Sequence, residues 1–474
     1  MASLCYFFYH LSSLIFRNHL LERMRWILVS KRQASETNPW QAGYAECDIT
    51  PKPGQSFMAG YGIERSSRGV LAPLKAQALV IADRRGRKVV LLAADVIGFD
   101  RTSVNALRNA IQKLHRLPAD RVMFTASHTH WGPAISYGMN FICGAPNPWY
   151  MMYFERQLLK VTAQAIERLA PAKITYGSID TRIGHNRRPF DENSKPIKSG
   201  VPNLKGPYDE HTPVLEIIRR RSPRRIVIVG HACHPTDSGF VPKWWPAYPG
   251  VMRSTLEKSL GSSTRALFVM GCGGDAKVTI RHPKTGRWAF SFTPAGARIA
   301  GKRLATAVLS HLQEGDRCSI SGSLQCALVS GALTYGQGPS RRQIEDLAVD
   351  AEAYAGDVFW ARQMQAYPQQ ARSCRFDVQA WRFGRHLTLF ALEGETCSDL
   401  GPLTRSVART DEAMVIGFAN TNVGYVPTRR IVREGGYEGE SSHRVYFHPA
   451  PYTEKVEQEF AKVVKRAITK LGAG

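Results

Sequence analysis

The sequence of 474 residues lacks any Cys-x-x-Cys pair, although it contains nine cysteines. An odd number of scattered cysteines argues against a disulfide framework and against a zinc ribbon, and it is typical of a reducing compartment. Cys233 and Cys272 lie in polar segments, and we interpret them as small buried hydrophobes rather than nucleophiles. The sequence also lacks internal repeats and low-complexity tracts, so it predicts an ordinary globular protein with a large core.

Acidic residues are few compared with basic ones, 39 against 63, which gives a formal net charge of +24. A basic surface attracts anionic headgroups, nucleic acid or acidic substrates. The basic residues are scattered, however, and their densest group (219–225, RRRSPRR) lies between two apolar runs, as a solvated hairpin loop would. No DNA- or RNA-binding signature accompanies that group, so we expect no nucleic-acid partner.

Residues 1–40 are a leader of uncertain status. The leader begins apolar, but no basic residue precedes the apolar stretch and no clear cleavage site follows it. Arg17 ends the run short of the roughly 20 residues that a spanning helix needs. Two interpretations stay open: a weak anchor or amphipathic segment, or a start codon assigned too early, with Met24 as the true first residue. Without a clear signal peptide, we expect a cytoplasmic or peripheral membrane location.

From residue 41 onwards, short β-rich runs alternate with helical stretches, the pattern of an α/β domain. The predicted strands are almost continuously apolar, as strands covered on both faces are, and they include 89–94, 122–127, 226–230, 266–271, 387–392 and 413–418. Helical periodicity covers 102–117, 154–169 and 453–471, and 334–372 predicts a strand end followed by a long polar helix. No linker divides the chain. We therefore predict one large domain over 41–474, with a mixed, largely parallel sheet flanked by helices.

Compact polar groups follow six of the predicted strands. They are Asp95; His128 and His130; His231, His234 and Asp237; Asp275 and Lys277; Glu393 and Glu395; and Asn420, Asn422 and Tyr425. In open α/β sheets, ligands bind outside the carboxyl ends of the strands, where the loops converge. The sequence therefore predicts a functional site at this edge.

The histidines indicate a metal. His128 and His130 lie two apart in an extended segment and so point to the same side, whereas His231 and His234 lie across a turn. Imidazoles and one carboxylate of the EGET segment (393–396) would suit a catalytic zinc, which lowers the pKa of a bound water to about 7. Any single histidine is explained equally well as a hydrogen-bonding group at a strand end. The prediction of a metal site depends on the grouping.

A series of short motifs resembles the amino-terminal catalytic domain of the neutral/alkaline non-lysosomal ceramidase family, over about residues 42–450. The motifs occur in the family's order and are AGYAECDITP (42–51), FMAGYG (57–62), ASHTHWGP (126–133), HNRRP (185–189), HACHPT (231–236), YPG (248–250), GCGGDAK (271–277), GET (394–396) and GYVPT…YEG (424–439).

The resemblance implies a zinc amidohydrolase, with one zinc per chain, that cleaves the N-acyl bond of ceramide-like lipids. Position by position, the implied metal ligands are His128, His234, Glu395 and Tyr425. His130 would polarise the amide carbonyl, and Arg187 and Tyr437 would bind the polar head or the oxyanion. Asp275 is a further candidate, which either orients a ligand histidine or caps the turn after its strand.

Departures from the family leave the substrate open, and one of them concerns the mechanism. Lys277 stands where animal ceramidases carry a serine, which excludes a serine nucleophile at that position. The alternatives are a hydrolase of another small amide or ester on the same scaffold, and a non-catalytic relative that binds metal. Two aromatic segments, 147–154 and 243–250, would line an acyl tunnel or serve as packing anchors. The basic surface also predicts peripheral contact with anionic membranes.

Overall fold

The computed structural model describes residues 40–60, 62, 64–139, 143–190, 201–367 and 371–472. Within the chain, Trp40–Gly474 form one compact unit. The predicted leader, apart from its last residue, lies outside the described residues. Among the helices that are described, none has both the length and the apolarity required to span a bilayer.

The described chain alternates strands and helices. The strands are β1 (Trp40–Asp48), β2 (Lys75–Ala82), β3 (Lys88–Ala94), β4 (Val122–Ala126), β5 (Ala170–Asp180), β6 (Gly184–Asn186), β7 (His211–Arg219), β8 (Arg225–His231), β9 (Thr264–Met270), β10 (Ala276–Arg281), β11 (Trp288–Phe290), β12 (Cys318–Ile320), β13 (Leu324–Thr334), β14 (Ser373–Phe383), β15 (Leu387–Leu392), β16 (Glu395–Thr396), β17 (Ala413–Ile416) and β18 (Tyr425–Val426). The α-helices are α1 (Arg101–His115), α2 (Pro148–Glu167), α3 (Ala247–Leu260), α4 (Pro294–Glu314), α5 (Arg341–Val349), α6 (Ala355–Ala366), α7 (Leu400–Ala408), α8 (Arg429–Glu434), α9 (Gly436–Gly439) and α10 (Val456–Gly472). Short 3₁₀ helices cover Ala119–Arg121 and Ser441–Tyr446.

A nine-stranded mixed sheet forms the centre of the molecule, in the order β4-β3-β2-β1-β5-β7-β8-β9, with β12 also paired to β5. The strands β3 and β4 are parallel, as are β8 and β9, because a helix connects each pair. The inner pairs are antiparallel. The predicted mixed α/β architecture is confirmed. In this sheet the parallel strand pairs are the outer ones.

Three further sheets complete the fold. A four-stranded sheet has the order β13-β14-β15-β17, with β15 and β17 parallel across α7. A three-stranded sheet joins β11, β10 and β6, and a two-stranded parallel ladder joins β16 and β18. All these pairings connect segments that are distant in sequence, except the short hairpins.

The core lies in three layers of apolar side chains. One cluster lies between the nine-stranded sheet and α1–α4 and includes Phe124 and Phe268. A second lies between the two large sheets and includes Trp40 and Trp381, and a third lies between the four-stranded sheet and α10 and includes Phe460. Both large sheets are therefore covered on both faces. This explains why their strands read as nearly continuous apolar runs.

Two segments differ from the sequence prediction. The long polar helix expected within 334–372 is two shorter helices, α5 and α6, because a capping box at Ser340 starts the first and Asp350 ends it. The segment 280–294, which has no clear pattern in sequence, contains the β10–β11 hairpin and the start of α4. The basic run 219–225 connects β7 to β8, so it is the hairpin loop that the sequence predicts.

Candidate metal centre

Three histidines from two loops meet beyond the carboxyl ends of β4 and β8. His128 and His130 follow β4, and His234 follows β8. One ring nitrogen from each lies within 4.8 Å of the others. The Nε2 atom of His128 is 2.9 Å from Nε2 of His234 and 3.3 Å from Nε2 of His130. The sequence prediction that strand ends bring these imidazoles together is confirmed.

Backbone carbonyls determine the tautomers of two of these rings. Nδ1 of His128 contacts the carbonyl oxygen of Ile97, and Nδ1 of His234 contacts that of Gly273 at 2.9 Å. A carbonyl oxygen only accepts hydrogen bonds, so each Nδ1 must carry the proton. Each ring therefore directs its Nε2 atom towards that of the other, across 2.9 Å.

The backbone at His128 is held in an unusual conformation. Its φ angle is 59°, in the left-handed region that residues other than glycine rarely adopt. The ring of Phe418 packs against the rings of His128 and His234, with centroid distances of 4.5 and 5.4 Å. Strain of this kind persists where surrounding structure holds it, and it occurs mostly at functional sites.

Glu395 supplies a carboxylate to the same point. Its Oε2 atom lies 3.2 Å from Nε2 of His234 and 3.5 Å from Nε2 of His128. Its other oxygen, Oε1, accepts hydrogen bonds from the hydroxyl of Tyr446 and, at 3.3 Å, from Nδ2 of Asn422. The two donors occupy Oε1 and leave Oε2 directed at the imidazoles.

Burial controls the protonation of these groups. It lowers the pKa of His128 to about 4 and lowers that of His130 well below its ordinary value, so both rings are neutral at pH 7. Burial alone would raise the pKa of Glu395, but the two imidazoles and the hydroxyl of Tyr446 hold it well below its usual range. The carboxylate is therefore ionised beside neutral rings.

Tyr425 is brought to Glu395 by strand pairing. The β16–β18 ladder places these two residues directly opposite each other, although they are 30 positions apart in sequence. The phenol oxygen of Tyr425 lies 3.5 Å from Nε2 of His234 and accepts a hydrogen bond of 2.8 Å from Nη2 of Arg187. All four predicted metal ligands are thus in one buried cluster.

Arg187 connects the cluster to the residues that the resemblance assigns to substrate binding. Its Nε donates to Glu438 at 2.8 Å, and Glu438 also binds Arg188 at 2.6 Å. The guanidinium carbon of Arg187 lies 5.8 Å from the ring centroid of Tyr437, and the Tyr437 ring lies edge-on to Tyr425. Tyr437 is 40% exposed, so it forms the side of the cluster that solvent reaches.

This donor set fits a cation. Two imidazole nitrogens and an ionised carboxylate oxygen converge in one buried space. Imidazole nitrogen and carboxylate oxygen are the ligands that zinc takes in catalytic sites. The residues that could hold the ion are His128, His234, Glu395 and Tyr425, with His130 beside them.

Asp275 has a different role from the histidine-orienting one considered above. Its carboxylate accepts hydrogen bonds from the backbone and hydroxyl of Ser398, both at 2.7 Å, and from Asn186 at 2.9 Å. Its backbone oxygen accepts from the amide of Arg187 at 2.7 Å. The rings of His128 and His234 are oriented by carbonyls instead. Asp275 therefore stabilises the turn and positions Arg187.

The first histidine of HACHPT, His231, is not in the cluster. His231 is buried, and its two ring nitrogens contact the hydroxyls of Tyr208 and Thr212, each at 2.9 Å. Burial lowers its pKa to about 3, which keeps the ring neutral. His231 is a satisfied core histidine, the ordinary interpretation of a histidine at a strand end.

Two acids at the strand ends are likewise used elsewhere. Glu393 binds Arg101 at 2.8 Å, and Asp95 binds Arg253 at 2.6 Å. Of the two carboxylates in EGET, the structure therefore selects Glu395. The thiols of Cys233 and Cys272 are buried, and burial raises the pKa of Cys272 to about 12, which does not favour a nucleophile.

Three residues that support the cluster were missed in the sequence. Tyr446 holds Glu395, and Glu438 holds Arg187. Gly60 lies against His130, because a Cβ at position 60 would be 2.3 Å from Nδ1 of that ring. Glu438 and Gly60 lie inside the motifs YEG and FMAGYG quoted above. The charge of Glu438 and the conformational freedom of Gly60 were the signals that could have identified them. Tyr446 lies outside every motif.

The fold and this site define an α/β protein with a buried histidine–carboxylate–tyrosine centre. The chain has the fold of solved neutral ceramidases, which confirms the resemblance at the level of the fold. The neutral ceramidase from Pseudomonas aeruginosa matches with a TM-score of 0.71 and 18% sequence identity, over 91% of this chain and 74% of that one. A ceramidase complexed with C2 matches with a TM-score of 0.70 and 17% identity, over 92% and 75% of the two chains. No protein-family model and no curated protein matches the sequence.

Proposed function

We propose that this protein is a zinc-dependent amidohydrolase that cleaves the N-acyl bond of a ceramide-like lipid. The observation that carries the proposal is the convergence of two Nε2 atoms and Oε2 of Glu395, within a fold shared with ceramidases. The fold supports hydrolysis of an amide, and the donor set supports the metal.

The chemistry requires water to add to the acyl carbon and a proton to reach the leaving amine. Zinc held by His128, His234, Glu395 and Tyr425 would supply, when bound, a water of lowered pKa and a Lewis acid for the acyl oxygen. The neutral ring of His130 holds one proton and one lone pair, so it can donate a hydrogen bond to the amide carbonyl.

Arg187 and Tyr437 lie on the side from which a substrate would approach. Arg187 is a fixed cation, held by Glu438 and Tyr425, and so requires little reorganisation when negative charge develops on the acyl oxygen. The phenol of Tyr437 can donate a hydrogen bond to the same oxygen or to the polar head. A preorganised donor of this kind contributes roughly 3 kcal/mol.

Metal analysis combined with an N-acyl substrate assay tests the proposal. We expect about one zinc per chain, loss of turnover on chelation and recovery when zinc is returned. His234→Ala should lose both metal and turnover, because it removes a lone pair from the centre. His282→Ala, at an exposed histidine outside the cluster, is the control and should retain both.

The outcomes separate the alternatives. Full turnover by metal-free protein would refute a metal-dependent mechanism. Zinc binding without hydrolysis of any amide or ester would favour a non-catalytic relative. Comparing a long-chain ceramide with short N-acyl amides and esters distinguishes a lipid amidase from a hydrolase of small polar substrates.

A further inference from the structure

Three exposed apolar side chains come from three different segments near the metal centre. Val70, Phe240 and Phe292 are 52%, 78% and 54% exposed. Single exposed apolar residues are common on any protein surface. Apolar residues that are contiguous and come from separate segments mark an interaction site more often.

Backbone contacts hold the three segments together. The amide of Arg68 donates to the carbonyl of Pro242 at 2.7 Å, and Val70 forms a β-bridge with Trp244. On the other side of Phe240, the hydroxyl of Ser291 donates to the carbonyl of Asp237 at 2.7 Å. The segments 68–70, 237–244 and 291–292 are thus neighbours in the fold.

These three segments border the candidate site through two sets of contacts. The backbone of Trp245 pairs with the loop that carries His130, donating to the carbonyl of Trp131 at 3.2 Å. In the other direction, Nζ of Lys277 lies 4.0 Å from the ring centroid of Phe292, and Lys277 forms a β-bridge with His234. The apolar residues therefore lie at the rim of the centre.

Basic side chains surround the apolar ones. Arg68, Lys243 and Arg298 are exposed, and the guanidinium carbon of Arg298 lies 5.6 Å from the ring centroid of Trp245. None of the three forms a salt bridge with an acid in the described parts of the chain. We define the rim patch as Val70, Phe240 and Phe292 with Arg68, Lys243 and Arg298.

We infer that the rim patch, which borders the metal centre, docks the protein on an anionic lipid bilayer. Apolar side chains that enter the interface, with basic side chains beside them, are the combination that anionic membranes bind. The net charge of +24 adds a long-range attraction between the protein and an anionic bilayer. This inference rests on the proposed function for the substrate, and it adds that the substrate is taken from the bilayer.

Vesicle binding of the full chain tests the inference without turnover. We expect the protein to sediment with vesicles of phosphatidylcholine and phosphatidylglycerol in equal parts, much less with phosphatidylcholine alone, and less as salt rises. Removing a basic residue of the rim patch, as in Lys243→Gln, should weaken binding about fivefold. The double variant Phe240→Ser, Phe292→Ser should weaken it about tenfold or more.

A matched control is available on α5. Val349 is 78% exposed, like Phe240, but lies outside the rim patch, so Val349→Ser should bind vesicles as the parent protein does. Unchanged binding by the Phe double variant, or no binding by the parent protein at low salt, would overturn the inference.

Hydrolysis distinguishes this inference from the proposed function. The Phe double variant should hydrolyse a soluble short N-acyl substrate at the parental rate and a vesicle-embedded one more slowly. Equal rates on both substrates would count against docking at the rim patch. Vesicle binding with the expected variant effects, but no hydrolysis of any substrate, would refute the proposed function and leave the docking surface supported.

Discussion

Replacing Tyr446 by Phe removes one hydroxyl, and with it a hydrogen bond to Oε1 of Glu395. The ring keeps its place, because Tyr446 is 7% exposed and packs edge-on to Tyr425 with a centroid distance of 6.3 Å. Among the residues that the structure describes, the carboxylate then retains Asn422, at 3.3 Å, as the donor to Oε1. We expect the metal centre to lose affinity while the fold survives.

The magnitude follows from the kind of bond. A hydrogen bond to a charged group contributes about 1.5–3 kcal/mol. If the loss of this hydrogen bond destabilises the metal-bound state by about 2 kcal/mol, the zinc dissociation constant rises about 30-fold. This lies within the ten- to hundredfold range typical of residues that orient metal ligands.

Competition between the protein and a chromophoric chelator at fixed pH measures the zinc affinity. Tyr452→Phe is the matched control, because Tyr452 is also 7% exposed but packs in the α10 core. Circular dichroism confirms that both variants are folded. An affinity for zinc in Tyr446→Phe within threefold of the control would refute the role that we assign to this hydroxyl.

The other predictions concern pH, packing and charge. Burial lowers the pKa of His231 to about 3, so as the pH falls the unfolded chain binds a proton on this ring before the folded protein does. The free energy of unfolding therefore falls as the pH drops below about 6.5, by about 2 kcal/mol at pH 5. Chemical denaturation of His231→Gln should show a shallower pH dependence than that of the parent protein. Gly60→Ala should displace His130, lowering turnover more than zinc content, because φ at position 60 is +95° and the Cβ would meet the ring; equal loss of both would contradict this. Arg187→Lys removes the planar guanidinium that binds Tyr425 and Glu438 at the same time. We therefore expect kcat to fall about ten- to a hundredfold while zinc is retained. Steady-state kinetics and metal analysis measure the two effects.

Much of the architecture could be predicted because its signals are local. Apolar runs covered on both faces predict strands such as β3, β8 and β15 almost to their ends, and 3.6-residue periodicity predicts α1 and α10. Strand pairing was less predictable. The inner antiparallel pairs of the large sheet join segments whose pairing no local pattern records.

The sequence by itself determined that the polar groups follow the strands, and the motifs indicated which histidines and acids to consider. Only the tertiary structure decided which of them meet. His234 joins the centre and His231 does not, although both belong to HACHPT. Glu395 joins it and Glu393 does not, because the β16–β18 ladder directs one carboxylate to the imidazoles while Arg101 binds the other. The physical reason is that the centre forms where loops from two stacked sheets touch, and the distance between those loops depends on how the sheets pack rather than on any local sequence.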